Sequence, residues 1–323
     1  MPKAVTIYRW DDEGAPQFVT GKYSEIIAVL DACLLTGYGN KQPLGWTKLF
    51  SESVACCYKN ASGGCVVFSS NTGTDDAKGT YVQAAQSATN GTNLVRPGWK
   101  QSIKVFPNHN VSWVVIGTDS AVYLFFGYVS KYEITSYKYI ASAFFGDLSH
   151  AITNDAGKFV AICSLANEDF SLDTSSSISS NTGRNIDHLN HLSPSSSPGV
   201  KIYDADAANE FTLYLPDAPY LPVSQSSINN LGAITSNSLM AVTLKAKDLE
   251  VAKDRSGEFI TASTTRPACR GALPGLFNTL CAHPFDVVWP SLVNYGGQQH
   301  LILRVTTPTR ASKLILNVEL WND

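Results

Sequence analysis

Two short stretches of this chain bring chemistry-bearing side chains close together in sequence. Asp187-His188-Leu189-Asn190-His191 sets two imidazoles three residues apart beside a carboxylate, a spacing that one helical turn could aim at a metal ion. Two or three ligands do not complete a site, and the serines around them favour a solvated loop. Cys281-Ala282-His283 with Asp286 holds thiol, imidazole and carboxylate within six residues, the ingredients of an activated nucleophile. Catalytic cysteines usually find their base through the fold rather than beside them in the chain, so a structural role is the preferred reading. Vicinal Cys56-Cys57 followed by Cys65 starts a metal-like pattern that no second CxxC or HxxxH completes. His150 and His300 border apolar stretches and read as satisfied structural histidines. The carboxylates Asp11, Asp12, Asp75, Asp76, Asp147, Asp204 and Asp206 are scattered, and only the fold could bring two of them across a cleft as a glycosidase needs. GxSxG, GxxxxGK[ST], GxGxxG and HExxH are all missing. The expectation is a non-enzymatic chain with no catalytic, cofactor-binding or metal-binding residues.

The elements that would position these side chains are strands. Only 16% of the 323 residues are charged, against about 25% in an average globular protein, and 44% are hydrophobic, which gives ample material for a packed core. A net charge of -3 supplies no field to gather phosphates, so nucleic-acid and anionic-membrane partners are not expected. Seven cysteines, at 33, 56, 57, 65, 163, 269 and 281, lack the paired spacing of a disulfide framework and read mostly as buried thiols made in a reducing cytoplasm. The sequons at Asn60, Asn90 and Asn110 then carry no glycan. The first dozen residues contain no apolar run of an export signal. The most apolar windows, 111–128 and 291–305, are broken by polar and glycine residues before they reach the ~20 apolar positions of a spanning helix.

The best helix lies in 24–35, where Ile26, Leu30, Cys33 and Leu34 fall on one face, Ser24 can cap the start and Gly37 can end it. From Trp46 onward, short β-branched and aromatic runs alternate with Gly, Asn, Ser and Asp. Residues 111–116 and 121–126 read as a hairpin, 141–145 and 158–165 as buried strands, and 301–306 and 313–321 as a C-terminal pair. In the last, Leu314, Leu316, Val318 and Leu320 alternate with Lys313, Ile315, Asn317 and Glu319, the pattern of a half-buried strand. Most of Trp113, Tyr123, Phe125 and Phe126 are assigned to the core, while Tyr132, Tyr137 and Tyr139 are left open between the core and a platform for sugars or another protein. Residues 171–199 are dominated by Ser and Asn and cannot bury enough apolar surface to order themselves. The predicted fold class is mainly β (α+β): antiparallel sandwich-like or barrel-like sheets with one N-terminal amphipathic helix. The predicted organisation is a helix-plus-β region (1–168), a Ser/Asn-rich loop or linker (169–199) and a C-terminal β region (200–323).

Several stretches, in a kept order, resemble a family of tailed-bacteriophage and prophage virion proteins. The most specific is Leu30 to Ser51, where a helix runs into Gly37-Tyr38-Gly39 and then Gly45-Trp46-Thr47. Further similarities are Trp113 to Phe126, Phe144-Phe145-Gly146-Asp147-Leu148, Arg270 to Leu276 and the Leu-rich end near Trp321. The resemblance departs at 171–199. It implies a structural protein of the particle, made in the bacterial host cytoplasm and located in the virion. The expected place is the tail, baseplate or adsorption apparatus, with a capsid decoration protein as the alternative. A glycan-binding or glycan-degrading protein carried on the particle is the reading from another class. The implied partners are other virion proteins and further copies of the chain in a homo-oligomer, with host-surface glycans as the candidate outside partner.

Overall fold

A computed structural model describes residues 2–77, 79–103, 111–128, 141–149, 152, 154–163, 200–217, 239–246, 266–279, 290–303 and 313–322. The chain opens with β1 (Pro2–Ala4) and β2 (Thr6–Arg9), then the helix α1 (Tyr23–Asp31), which passes into a π-helical turn at Ala32–Thr36. Next come β3 (Thr47–Ser51), β4 (Ala55–Lys59), β5 (Cys65–Ser70), β6 (Thr80–Ala85), the small hairpin β7 (Ser87–Ala88) and β8 (Leu94–Val95), and β9 (Gln101–Ile103). Of these, β3-β4-β5-β6-β9 form the first antiparallel sheet. A second is built from β10 (Val111–Gly117), β11 (Ala121–Tyr128), β12 (Ala141–Asp147) and β13 (Phe159–Cys163), with β2 added at its edge in the order β13-β12-β11-β10-β2. The third contains β14 (Val200–Tyr203), β15 (Phe211–Asp217), β16 (Leu239–Ala246), β17 (Cys269–Thr279), β18 (Leu292–Tyr295), β19 (Gln298–Leu303) and β20 (Lys313–Asn317). Their order is β14-β15-β16-β17-β20-β19-β18, and β21 (Leu320–Asn322) turns back to pair with β1. The mainly β, antiparallel class with one helix is what composition and periodicity indicated.

The second sheet is the middle layer. Successive side chains of a strand point to opposite faces, so a strand covered on both sides must be apolar at every position. Along β10, Trp113 and Val115 face α1 and the first sheet, among Leu30, Tyr58 and Phe68. Val114 and Ile116 face the third sheet, among Leu244, Leu314 and Trp321. The uninterrupted runs Trp113–Ile116 and Ala121–Phe126 follow from this double burial, and their register, Trp113 opposite Phe126 and Ile116 opposite Tyr123, is the predicted hairpin. Trp113, Tyr123, Phe125 and Phe126 are all core residues. Residues on either side of 164–199, a segment that lies outside the described residues, therefore share one apolar layer. Tyr123 of β11 stacks edge-on against Trp321 at 5.4 Å and donates its hydroxyl to the Pro274 carbonyl at 2.9 Å. Among the described residues no helix is long and apolar enough to cross a membrane.

Two local expectations are corrected. Ser24 is not the helix cap: the capping position is Lys22, which makes no side-chain cap bond, and Ser24 lies inside the first turn. The first-turn N–H of Ser24 is satisfied instead by Asp75, at 2.8 Å, and the carboxylate of Glu25 accepts from the N–H groups of Thr20 and Gly21. At the other end, Gly37 does terminate the helical segment, at φ 73°, with its N–H on the Ala32 carbonyl. A Cβ there would collide with the carbonyl of Lys41, so the turn needs glycine.

The second correction concerns 313–321. Ile315 is fully buried, not outward, because Tyr295, Phe277 and Val293 cover that face in a small separate cluster. Asn317 then accepts the N–H groups of Glu319 and Leu320 on its side chain, and the turn reverses the phase. Leu320 is left exposed and Trp321 goes inside.

Candidate functional site

A cleft lies where the edge of the middle sheet, β13, meets β14 of the third sheet and the β6–β9 side of the first. It encloses about 290 Å³. Each wall is fixed by polar ties between sheets. The side-chain amide of Gln101, on β9, donates to the Ala161 carbonyl at 2.6 Å and accepts from the Cys163 N–H at 2.7 Å, so it satisfies the outer edge of β13. Residues 96–99 are held to the first sheet by the Gly98 N–H on the Ala84 carbonyl and by Gln83 on the Gly98 carbonyl. Tyr203, on β14, reaches over to donate its hydroxyl to the Pro97 carbonyl at 3.2 Å.

The floor is the loop 154–157. Arg270 donates Nε to Asp155 Oδ2 at 2.7 Å and Nη2 to Asp155 Oδ1 at 2.5 Å, and both side chains are wholly buried. The same Nη2 also bonds the Tyr203 carbonyl at 2.7 Å. Asn154 adopts a left-handed backbone, and the Ala156 N–H bonds the Ala205 carbonyl. At Gly157 any Cβ would strike the Tyr203 carbonyl and the Arg270 guanidinium, so the loop can lie this close to β14 only through glycine. The buried pair thereby locks the middle sheet to the third.

Around the rim stand Arg96, Trp99, Lys158, Lys201 and Tyr203. Lys158 pairs with Asp147 at 3.0 Å, and Asp204 with Arg266 at 2.6 Å. Lys201 holds its ammonium 4.7 Å above the Tyr203 ring and 4.4 Å above the Phe211 ring. Arg96 has a positive φ of 45° and donates Nη1 to the Gln86 side-chain oxygen. Its Nε is buried without a hydrogen-bond partner, as is Oδ1 of Asp204. Such groups cost folding free energy unless a ligand or neighbour satisfies them.

Of the side chains that sequence reasoning singled out, Asp204 alone lines this cleft. Asp147 is buried elsewhere, accepting from Asn60 and Ser62 and pairing with Lys158. Asp12 accepts from the Arg9 N–H and the Tyr38 hydroxyl, Asp11 pairs with the Arg9 side chain, and Asp76 accepts from Thr72 and Thr74. Asp206 accepts the Ala208 N–H. Cys56, Cys57 and Cys65 are buried thiols, and among the described residues no three His, Cys, Asp or Glu side chains converge to hold a metal ion. His300 is buried, with Nδ1 on the Gln298 carbonyl, Nε2 unpartnered and its pKa pushed down by burial. Asp187, His188, His191, Cys281, His283, Asp286, His150, Tyr132, Tyr137 and Tyr139 lie outside the described residues. The cleft residues Arg96, Trp99, Asp155, Lys201 and Tyr203 escaped notice because no two of them form a motif. The one local signal there is Asn154-Asp155-Ala156-Gly157, turn-forming residues that lead into the strand expected at 158–165. No family model matches the chain, and no curated protein matches it as a relative.

Proposed function

We propose that this chain is a non-enzymatic structural protein of a phage particle, belonging to the tail, baseplate or adsorption apparatus and working through symmetric contacts with copies of itself and with other virion proteins. The observation that carries the reading is the use of the carboxylates. Each of the seven aspartates that could have served acid–base chemistry is bound by a cation, a hydroxyl or an N–H of the fold. A carboxylate so held serves to fix a loop or tie two segments of the fold together. The resemblance over Leu30–Ser51 supports the same reading: its Gly-Tyr-Gly turn and Trp46 are packing elements, with Trp46 donating its indole N–H to the Thr118 carbonyl and meeting Phe145 edge-on. Two sheets end, among the described strands, on β3 and β18, each with an exposed leucine, Leu49 and Leu292. Such edges are ready means of joining copies.

Cryo-electron microscopy of intact purified particles, with this chain traced, tests the proposal. Density in the tail or baseplate is the expected result. Density on the capsid lattice makes the chain a decoration protein instead, and particles that lack it refute the structural reading.

A further inference from the structure

We propose that the three-sheet cleft binds one carboxylate-bearing sugar ring of an acidic glycan, with Arg96 taking the carboxylate and Trp99 and Tyr203 receiving the ring. This names a ligand class for the adsorption role and rests on that reading for the ligand's source, while the chemistry of the cleft stands separately.

The argument begins with charge. The two carboxylates that line the cleft are already neutralised, Asp155 by Arg270 and Asp204 by Arg266, and Lys158 is neutralised by Asp147. Arg96 and Lys201 are left over, and among the described residues no carboxylate pairs with either. The charge left unpaired in the cleft is thus cationic, at Arg96 and Lys201. An anionic group is therefore drawn to Arg96. The planar guanidinium fork suits a carboxylate. It is spent on a single neutral acceptor, the side chain of Gln86, and its backbone holds a left-handed conformation that a non-glycine residue bears at a cost.

The remaining surface suits a sugar better than a bare anion. Trp99 is half-buried at the rim, and its indole N–H has no acceptor among the described residues. Tyr203 and Phe211 meet edge-on at 6.1 Å with the Lys201 ammonium over both rings, and Phe211 is 45% exposed, so a sugar packed here meets an aromatic surface and a cation together. The C–H face of a pyranose packs on such rings while its hydroxyls take the free donors. A volume of about 290 Å³ admits one ring, just under the range of about 300–1,000 Å³ that holds larger ligands.

The test titrates the full-length chain with glucuronate, glucose, acetate and inorganic phosphate, followed by saturation-transfer NMR and tryptophan fluorescence. Glucuronate is expected to bind at least about tenfold more tightly than each of the other three, the factor that one charge-assisted hydrogen-bond pair supplies. Arg96→Gln should erase the preference over glucose without lowering the melting temperature. If that variant does not fold, Lys201→Gln should reduce glucuronate affinity severalfold and leave glucose unchanged. No saturable binding of glucuronate, or equal binding of glucose, acetate or phosphate, overturns the proposal. Failure of the two readings is separable: a chain seen on the tail that ignores glucuronate refutes the cleft alone. A chain that binds glucuronate but is missing from particles refutes the virion role alone.

Discussion

Removal of one partner of the buried Asp155–Arg270 pair should unfold much of the protein's margin of stability. In Asp155→Ala the guanidinium of Arg270 loses bonds of 2.7 and 2.5 Å and keeps the Tyr203 carbonyl, while the Gly157 N–H loses the acceptor it has at 2.7 Å. Two charge-assisted bonds at about 1.5–3 kcal/mol each set the upper scale, and water entering the vacated space recovers a part. The expected net loss is about 3–5 kcal/mol, the usual cost of stranding a buried charge. Against a total of about 5–15 kcal/mol, that is a large fraction. Urea unfolding at neutral pH, followed by tryptophan fluorescence and by far-UV circular dichroism, measures it. The paired replacement Asp155→Leu with Arg270→Met should recover at least half of the loss, since no charge is then left without a partner. Asp155→Ala within about 1 kcal/mol of the parent would show that the pair is solvated or dispensable, and the account of the cleft floor would fall with it.

Trp321→Ala should cost about 3–5 kcal/mol in the same assay, because the indole is buried against Tyr123 and bonded to the Asn317 carbonyl; a loss under about 1 kcal/mol would mean the C-terminal strand is not part of the core. His300 gives a pH dependence. Its pKa is held below the ordinary value of about 6.5 by burial, so the unfolded chain takes up the proton first. Its share of the stability is whole above that value and is lost as the pH falls through it, and His300→Gln should flatten unfolding measured between about pH 7.5 and 5.5. An unchanged slope in the variant would show that His300 does not titrate on unfolding. Cys269 is exposed, whereas Cys33, Cys56, Cys57, Cys65 and Cys163 are buried and burial pushes the Cys33 and Cys163 thiols up. Cys269→Ser should therefore remove one fast-reacting equivalent from titration with a thiol reagent, and an unchanged fast phase would contradict that exposure.

What the sequence disclosed depended on range. The hairpin of 111–126 and the buried face of Ile26, Leu30, Cys33 and Leu34 were legible because hydrophobic period and turn residues act within a few positions. The start of α1 was not, because its first-turn N–H is satisfied by Asp75, 51 residues away. Ile315 misled for a related reason: alternation implies one wet face, and only the fold shows that Tyr295 and Phe277 dry the other. The cleft was illegible altogether. Its walls come from residues 62–64, 84–101, 155–161 and 200–207, and the informative property of Arg96 is the acceptor that its Nε lacks. No spacing encodes an unmet hydrogen bond.

The pairing of β1 with β21, Lys3 opposite Trp321, also sets a timetable for the ribosome. At about 5–20 residues per second, the first strand emerges roughly 15–60 s before the strand that closes over it. For that interval the third sheet lacks β20, and Tyr123 has no Trp321 to pack against. Contacts this distant in sequence also slow the final search. The nascent chain thus waits with an unpaired N-terminal edge and an open apolar layer, and it is in this window that chaperones, or premature association with a sister chain, would find it.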